Sequence, residues 1–72
     1  MKRSKKILDL HSTKHADAEG LVERFIHENR NDLPAKIITG NSRRMRELVI
    51  KAAKSMGYNV FDMGNFGEID VY

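Results

Sequence analysis

The chain has no cysteine and no tryptophan, one proline, and five aromatic residues in 72. Without cysteine there is no disulfide framework, no thiolate nucleophile and no zinc site built on sulfur ligands. Secreted domains of this size usually depend on disulfides, so an intracellular, cytoplasmic setting is expected. With so few aromatics, stacking on nucleobases can contribute little to any binding. No low-complexity tract is present, which argues against bulk disorder. No apolar run approaches the roughly 20 residues of a membrane span. Residues 1–6 are basic but no apolar segment follows them, so they are not read as a signal peptide, and no membrane partner is expected.

What is present fits one small soluble domain. Residues 1–6 read as a basic N-terminal tail and residues 7–72 as the folded unit. A chain this short buries only about 60% of its unfolded surface, leaving room for the fold and little more than one site. The formal net charge is +3 and the pI about 9.5. That balance permits a nucleic-acid partner without demanding one. The distribution says more: Lys2, Arg3, Lys5 and Lys6 cluster at one end, and Arg43, Arg44 and Arg46 in the middle.

Residues 6–11 (KILDLH) read as a strand with Leu8 and Leu10 on one face and Ile7, Asp9 and His11 on the other. Ser12 and Thr13 offer capping hydroxyls to a helix over residues 14–29, with Ala18, Leu21, Val22, Phe25 and Ile26 as its apolar stripe. Gly20 inside that helix is unfavourable. Asn31, Asp32 and Pro34 mark a loop, and residues 35–39 (AKIIT) a second strand ended by Gly40. Asn41 or Ser42 then caps a second helix, whose residues Met45, Leu48, Val49, Ala52, Ala53 and Met56 carry the strongest helical periodicity in the chain. Gly57 suits the left-handed position after it. Residues 58–63 form a third strand, Gly64, Asn65 and Gly67 a turn, and residues 68–72 a fourth strand with Ile69 and Val71 inward. The order β-α-β-α-β-β predicts a two-layer α/β sandwich. Its four-stranded mixed sheet pairs successive strands in parallel through the two crossovers, ends in a hairpin, and carries both helices on one face.

Several residues could carry chemistry. Asp9 and His11, two apart on a strand, share a face at its C-terminal end, where ligands collect in open α/β sheets. A carboxylate beside an imidazole can orient it and stabilise its charged form, which suits general acid–base work on a phosphodiester or a ribose hydroxyl. On spacing alone, a solvated strand end is the commoner explanation of such a pair. Gly40, Asn41 and Ser42 lead into the second helix, whose N-terminal amides attract anions, with Arg43 and Arg44 placed to close on a phosphate. An ordinary strand–helix turn accounts for the same residues equally well. Parallel pairing would bring both groups to one end of the sheet. His15 falls in the first helical turn, either near His11 or simply packed there. His27 projects from the opposite side. No metal-ligand spacing is present, because His11-x-x-x-His15 begins on a strand. No motif demands a cofactor; Mg²⁺ is the one left open, through Asp70 and Glu68 on the open sheet face beside Asp9, although alternating outward acids are usually just solvated.

At these residues the chain resembles the Smr (small MutS-related) domain family, over nearly its whole length, from Ile7 to Val71. The family's opening L-D-L-H-G stands here as Leu8-Asp9-Leu10-His11-Ser12, and Glu23-Arg24-Phe25 matches a common stretch of its first helix. Its T-G-x-G appears as Thr39-Gly40-Asn41-Ser42, and its glycine-rich hairpin as Gly64-Asn65-Phe66-Gly67 followed by Val71. The resemblance implies an endonuclease or nicking enzyme on RNA or DNA, a hydrolase in the broad sense. It also implies a fold akin to the C-terminal domain of bacterial translation initiation factor three and hence a tie to the ribosome. Asp9 and His11 would be catalytic. Thr39, Gly40, Asn41, Ser42, Arg43, Arg44 and His15 would form the nucleic-acid-binding surface. Ser12 and Ser42 depart from family glycines and place a Cβ where the family has none, which bears on catalysis more than on binding.

Three functions therefore compete. The leading one is a monomeric phosphodiesterase on RNA or DNA using the Asp9–His11 pair. The second is a non-catalytic nucleic-acid- or ribosome-binding module. The third is a protein adaptor using the open face of the sheet.

Overall fold

The structure of the chain, a computed structural model, describes residues 7–62 and 67–72. The basic cluster Lys2, Arg3, Lys5 and Lys6 lies outside the described residues, as do Met63, Gly64, Asn65 and Phe66 of the expected last hairpin. The elements run β1 (Ile7–Asp9), α1 (His15–Glu28), β2 (Ala35–Ile38), α2 (Arg43–Ser55), β3 (Val60–Asp62) and β4 (Glu68–Val71). They form a two-layer α/β sandwich with a four-stranded mixed sheet. Among the described residues no helix is long and apolar enough to cross a membrane.

The strand order is β1-β2-β4-β3. β1 runs parallel to β2, and β4 runs antiparallel to both β2 and β3. The expected parallel pairing of successive strands thus holds for β1 with β2 and fails for β2 with β3, because β4 lies between them. Burial explains the order. β4 supplies Ile69 and Val71, both fully buried, whereas β3 supplies a half-buried Val60 and a Phe61 that is 53% exposed. A strand whose inward residues are wholly apolar gains most at the centre of a sheet, and a half-polar one belongs at an edge.

One face of the sheet presents Ala35, Ile37, Ile69 and Val71 to the helices. There they join Leu10, Val22, Phe25, Ile26, Met45, Val49 and the alanines of both helices in a single core. Each large side chain fully buried here contributes about 1.5–3 kcal/mol. The other face carries Lys36, Glu68 and Asp70. Lys36 Nζ stands 2.9 Å from Glu68 Oε1 and 3.8 Å from Asp70 Oδ1. Alternation along β2 and β4 therefore separates an apolar layer from an ionic one.

The helix ends show what local chemistry decides. Ser42 caps α2, its Oγ accepting the Met45 N–H at 3.0 Å. Gly57, at φ +92, closes α2 with the paired bonds of a Schellman motif, Gly57 N–H to Lys54 O and Tyr58 N–H to Ala53 O. At α1 the expected caps Ser12 and Thr13 do not serve: the N-cap is Lys14, with no side-chain hydrogen bond. Residues 10–13 form a tight turn, Thr13 N–H to Leu10 O at 3.0 Å, and the helix starts only after it, so Ser12 and Thr13 fall short of the capping position. Leu21, expected in the buried stripe, is 38% exposed. It lies where the layer runs out beside the short edge strand β1, lining a cavity of about 310 Å³ with Ile7, Leu8 and Phe25.

Two glycine substitutions should separate conformational cost from close approach. Gly20 sits in α1 with nothing within 4 Å of an added Cβ, so Gly20→Ala should stabilise by about 0.5–1 kcal/mol. Gly67 has φ +64, and a Cβ there would lie 2.5 Å from the Gly40 carbonyl oxygen. Gly67→Ala should therefore cost more than the roughly 1–3 kcal/mol of a strained backbone alone. Thermal melting followed by circular dichroism reads both, a rise for the first and a large fall for the second. A neutral Gly67→Ala would show that the close approach does not support the fold.

Candidate active site

Asp9 closes β1, and Leu10 extends the ladder by one bond, its N–H to Ile38 O at 2.8 Å, while its side chain enters the core. Asp9 and His11 on either side of it are thereby left in solvent. Asp9 Oδ1 accepts the His11 backbone N–H at 3.1 Å and stands 2.6 Å from His11 Nδ1. Their side chains are 51% and 62% exposed. The His11 ring, and then the His11 backbone N–H, hold the Asp9 carboxyl below its ordinary range. An ionised carboxylate can only accept, so the proton between them belongs to Nδ1. Nε2 is then the ring nitrogen available for chemistry.

The second group lies against the first. Gly40 takes φ +70, and a Cβ on it would stand 3.3 Å from His11 Cβ. The parallel pairing of β1 with β2 produces this meeting, because it brings their C-terminal ends side by side. Thr39, expected at the binding surface, is 2% exposed; its hydroxyl lies 3.1 Å from Gly67 O and 3.2 Å from Gly40 O. It holds the turn from inside. Asn41 is exposed beyond it. Ser42 combines its cap with a contact of 3.5 Å from Oγ to His15 Nε2. His15 is exposed, so the packed position expected for it gives way to one at the mouth of the site, contributed by the other helix. Ser12 and Ser42 need no glycine: no described residue other than glycine has positive φ.

The three central arginines divide by role. Arg43 and Arg44 are exposed in the first turn of α2, where a phosphate approaching the amides would meet them. Arg46 is half-buried and reaches Asp62 of β3 at 3.5 Å, so it ties helix to edge strand. Sequence spacing alone could not make that division, because Asp62 meets α2 only once β3 is placed at the sheet edge. His27 is exposed and lies beside Arg30, on the far side of α1.

The acids considered for Mg²⁺ also resolve. Glu68 and Asp70 share the open face with Asp9, but the Lys36 ammonium lies between them and is held above its ordinary range, chiefly by its hydrogen bond to Glu68. A cation of the chain itself balances them. Among the described residues no group of three or more His, Asp or Glu side chains is arranged to hold a metal ion. The polar lining of the cavity beside β1 is Asn29 and the exposed Arg24–Glu28 pair at 3.5 Å, in which the Glu28 carboxylate faces a cation of the chain itself.

The depressed Asp9 pKa sets a pH dependence. Its stabilising effect is complete above the ordinary carboxylate range and is lost as pH falls through the lower folded value. Carboxyl-carbon NMR titration should give Asp9 a midpoint below that of a free aspartate, and His11→Ala should return it to the ordinary range. An unchanged midpoint in His11→Ala would show that the contact does not persist in solution.

No family model matches the chain, and no curated protein or solved structure was found to be similar to it.

Proposed function

We propose that this chain is a nucleic-acid-processing domain of the Smr type, a phosphodiesterase acting on RNA or DNA as an endonuclease. The observation that carries the reading is the Asp9–His11 contact of 2.6 Å, exposed, with His11 packed on the Gly40 turn at the head of α2. Binding alone would need only a basic surface. An imidazole fixed through Nδ1 by an ionised carboxylate, beside a helix N-terminus, is what acid–base chemistry on a phosphate requires.

In this reading the phosphate rests at the N-terminus of α2, where backbone dipoles favour an anion and Arg43 and Arg44 neutralise its neighbours. His11 Nε2 takes the proton of the attacking oxygen, from water or a ribose 2′-hydroxyl. Asp9 stabilises the imidazolium that results. Recognition is mainly electrostatic and weakly sequence-specific, since few aromatics are available for stacking. A monomer in a reducing, cytoplasmic setting, meeting free or ribosomal RNA or DNA, fits the cysteine-free composition.

His11→Ala should slow cleavage by about 10²–10⁴-fold while binding and melting stay near wild type, because the ring is exposed. Asp9→Asn should also slow it, since an amide cannot stabilise an imidazolium. Gel assays on labelled single-stranded RNA and on nicked or branched DNA, with melting in parallel, read all of this. Equal residual cleavage in wild type and both variants would point to a contaminating nuclease and leave a binding module.

Replacing Arg43 and Arg44 together with Ala should weaken binding to every sequence and lower the salt slope by roughly one to two units. An unchanged slope would remove these arginines from the phosphate contacts.

A further inference from the structure

We infer that His15 is the second acid–base residue of this site, the proton donor to the leaving oxygen, and that the chemistry is transesterification of RNA. The inference rests on Asp9–His11 being a catalytic pair and adds what that pair cannot supply.

Displacement at phosphorus places the entering and leaving oxygens on opposite sides, so one base cannot easily serve both. The Gly40–Ser42 turn has a histidine at each end. His11 packs on Gly40, and His15 Nε2 lies 3.5 Å from Ser42 Oγ. Gly40 and Ser42 are two Cα–Cα steps apart, at most about 7.6 Å. A phosphodiester lying across so short a turn would have one histidine near each of its ends. The two side chains come from different elements, His11 from the end of β1 and His15 from the start of α1.

The other residues of the turn cannot do the work of His15. Asn41 and Ser42 do not release a proton near neutral pH, and the Arg43 and Arg44 guanidiniums keep theirs. Imidazole is the side chain whose ordinary range allows both giving and taking. His15 also lies outside the core. It is exposed, and α1 has no side-chain cap.

The reaction then balances with two histidines of opposite protonation. His11 Nε2 removes the proton of the 2′-hydroxyl, and the 2′-oxygen forms its bond to phosphorus as the bond to the 5′-oxygen breaks. Protonated His15 gives its proton to that departing oxygen. The products are a 2′,3′-cyclic phosphate and a 5′-hydroxyl. His11 leaves the step protonated and His15 neutral. DNA, lacking the 2′-hydroxyl, is bound but not cut by this route.

The test uses wild type, His11→Ala and His15→Ala on two short RNAs. One is unmodified; in the other, sulfur replaces the leaving 5′-oxygen, and a thiolate departs without a proton. His15→Ala should lose about 10²–10⁴-fold on the oxygen substrate and recover to near wild-type rate on the sulfur substrate. His11→Ala should be slow on both. Wild-type products should carry cyclic phosphate ends, and cutting should survive a chelator. Melting of His15→Ala should match wild type, as the residue is exposed. Wild-type cleavage of RNA with His15→Ala equally fast, or equally slow on both substrates, would overturn the role of His15 and leave the Asp9–His11 pair standing. No cleavage by wild type would remove both.

Discussion

Three backbones meet at one end of the sheet, and they can do so only because two of the residues are glycine. The Gly67 carbonyl accepts the N–H of Thr39 at 2.7 Å and of Gly40 at 3.1 Å, and the Gly67 α-carbon lies directly on the Gly40 carbonyl. Gly40 in turn lies on the β-carbon of His11. The entry to β4, the exit of β2 and the exit of β1 are thereby held together at one point. Antiparallel pairing of β4 with β2 brings the first two together, and parallel pairing of β1 with β2 brings the third. A side chain at either glycine would separate them. The His11 β-carbon sits in this packing, and Asp9 holds the ring through Nδ1.

Several of the other described charges are paired away from this corner. Lys36 balances Glu68 and Asp70 on the open face, and Arg46 is committed to Asp62. Arg43 and Arg44 stay exposed at the head of α2, beside the turn. The division follows from period and topology. Lys36 alternates with buried Ala35 and Ile37 on a strand, and Arg46 is carried round the helix toward β3. The same helix thus has a structural arginine on one side and two exposed arginines at its tip.

Much of this was legible in the residues. The apolar spacing of α2, the alternation of β4 and the Gly57 stop each reflect a local rule acting without competition. The proximity of Asp9, His11 and Gly40 followed from one inference, that strands joined through a helix run parallel. What could not be read was settled by competition between distant segments. β4 displaced β3 from the centre because Ile69 and Val71 bury more completely than Val60, a comparison that no single window contains. Ser12 and Thr13 fall in a turn that starts at buried Leu10, one step short of the capping position taken by Lys14. His15 reached Ser42 through helix packing, which sequence spacing does not encode. In Ser42 one residue is both a departure from a resembling motif and an ordinary helix cap, and the structure chooses it over Asn41 for the second role.

The central claim is that nucleic acid engages the end of the sheet where β1 and β2 stop, and not the open ionic face. Amide chemical-shift mapping during titration with a short single-stranded RNA tests it most directly. The account predicts that the largest shifts fall on His11, His15 and residues 40–44, with Lys36, Phe61 and Asp70 unmoved. Shifts centred on Lys36, Asp70 and Phe61, with His11 and Gly40 silent, would contradict it.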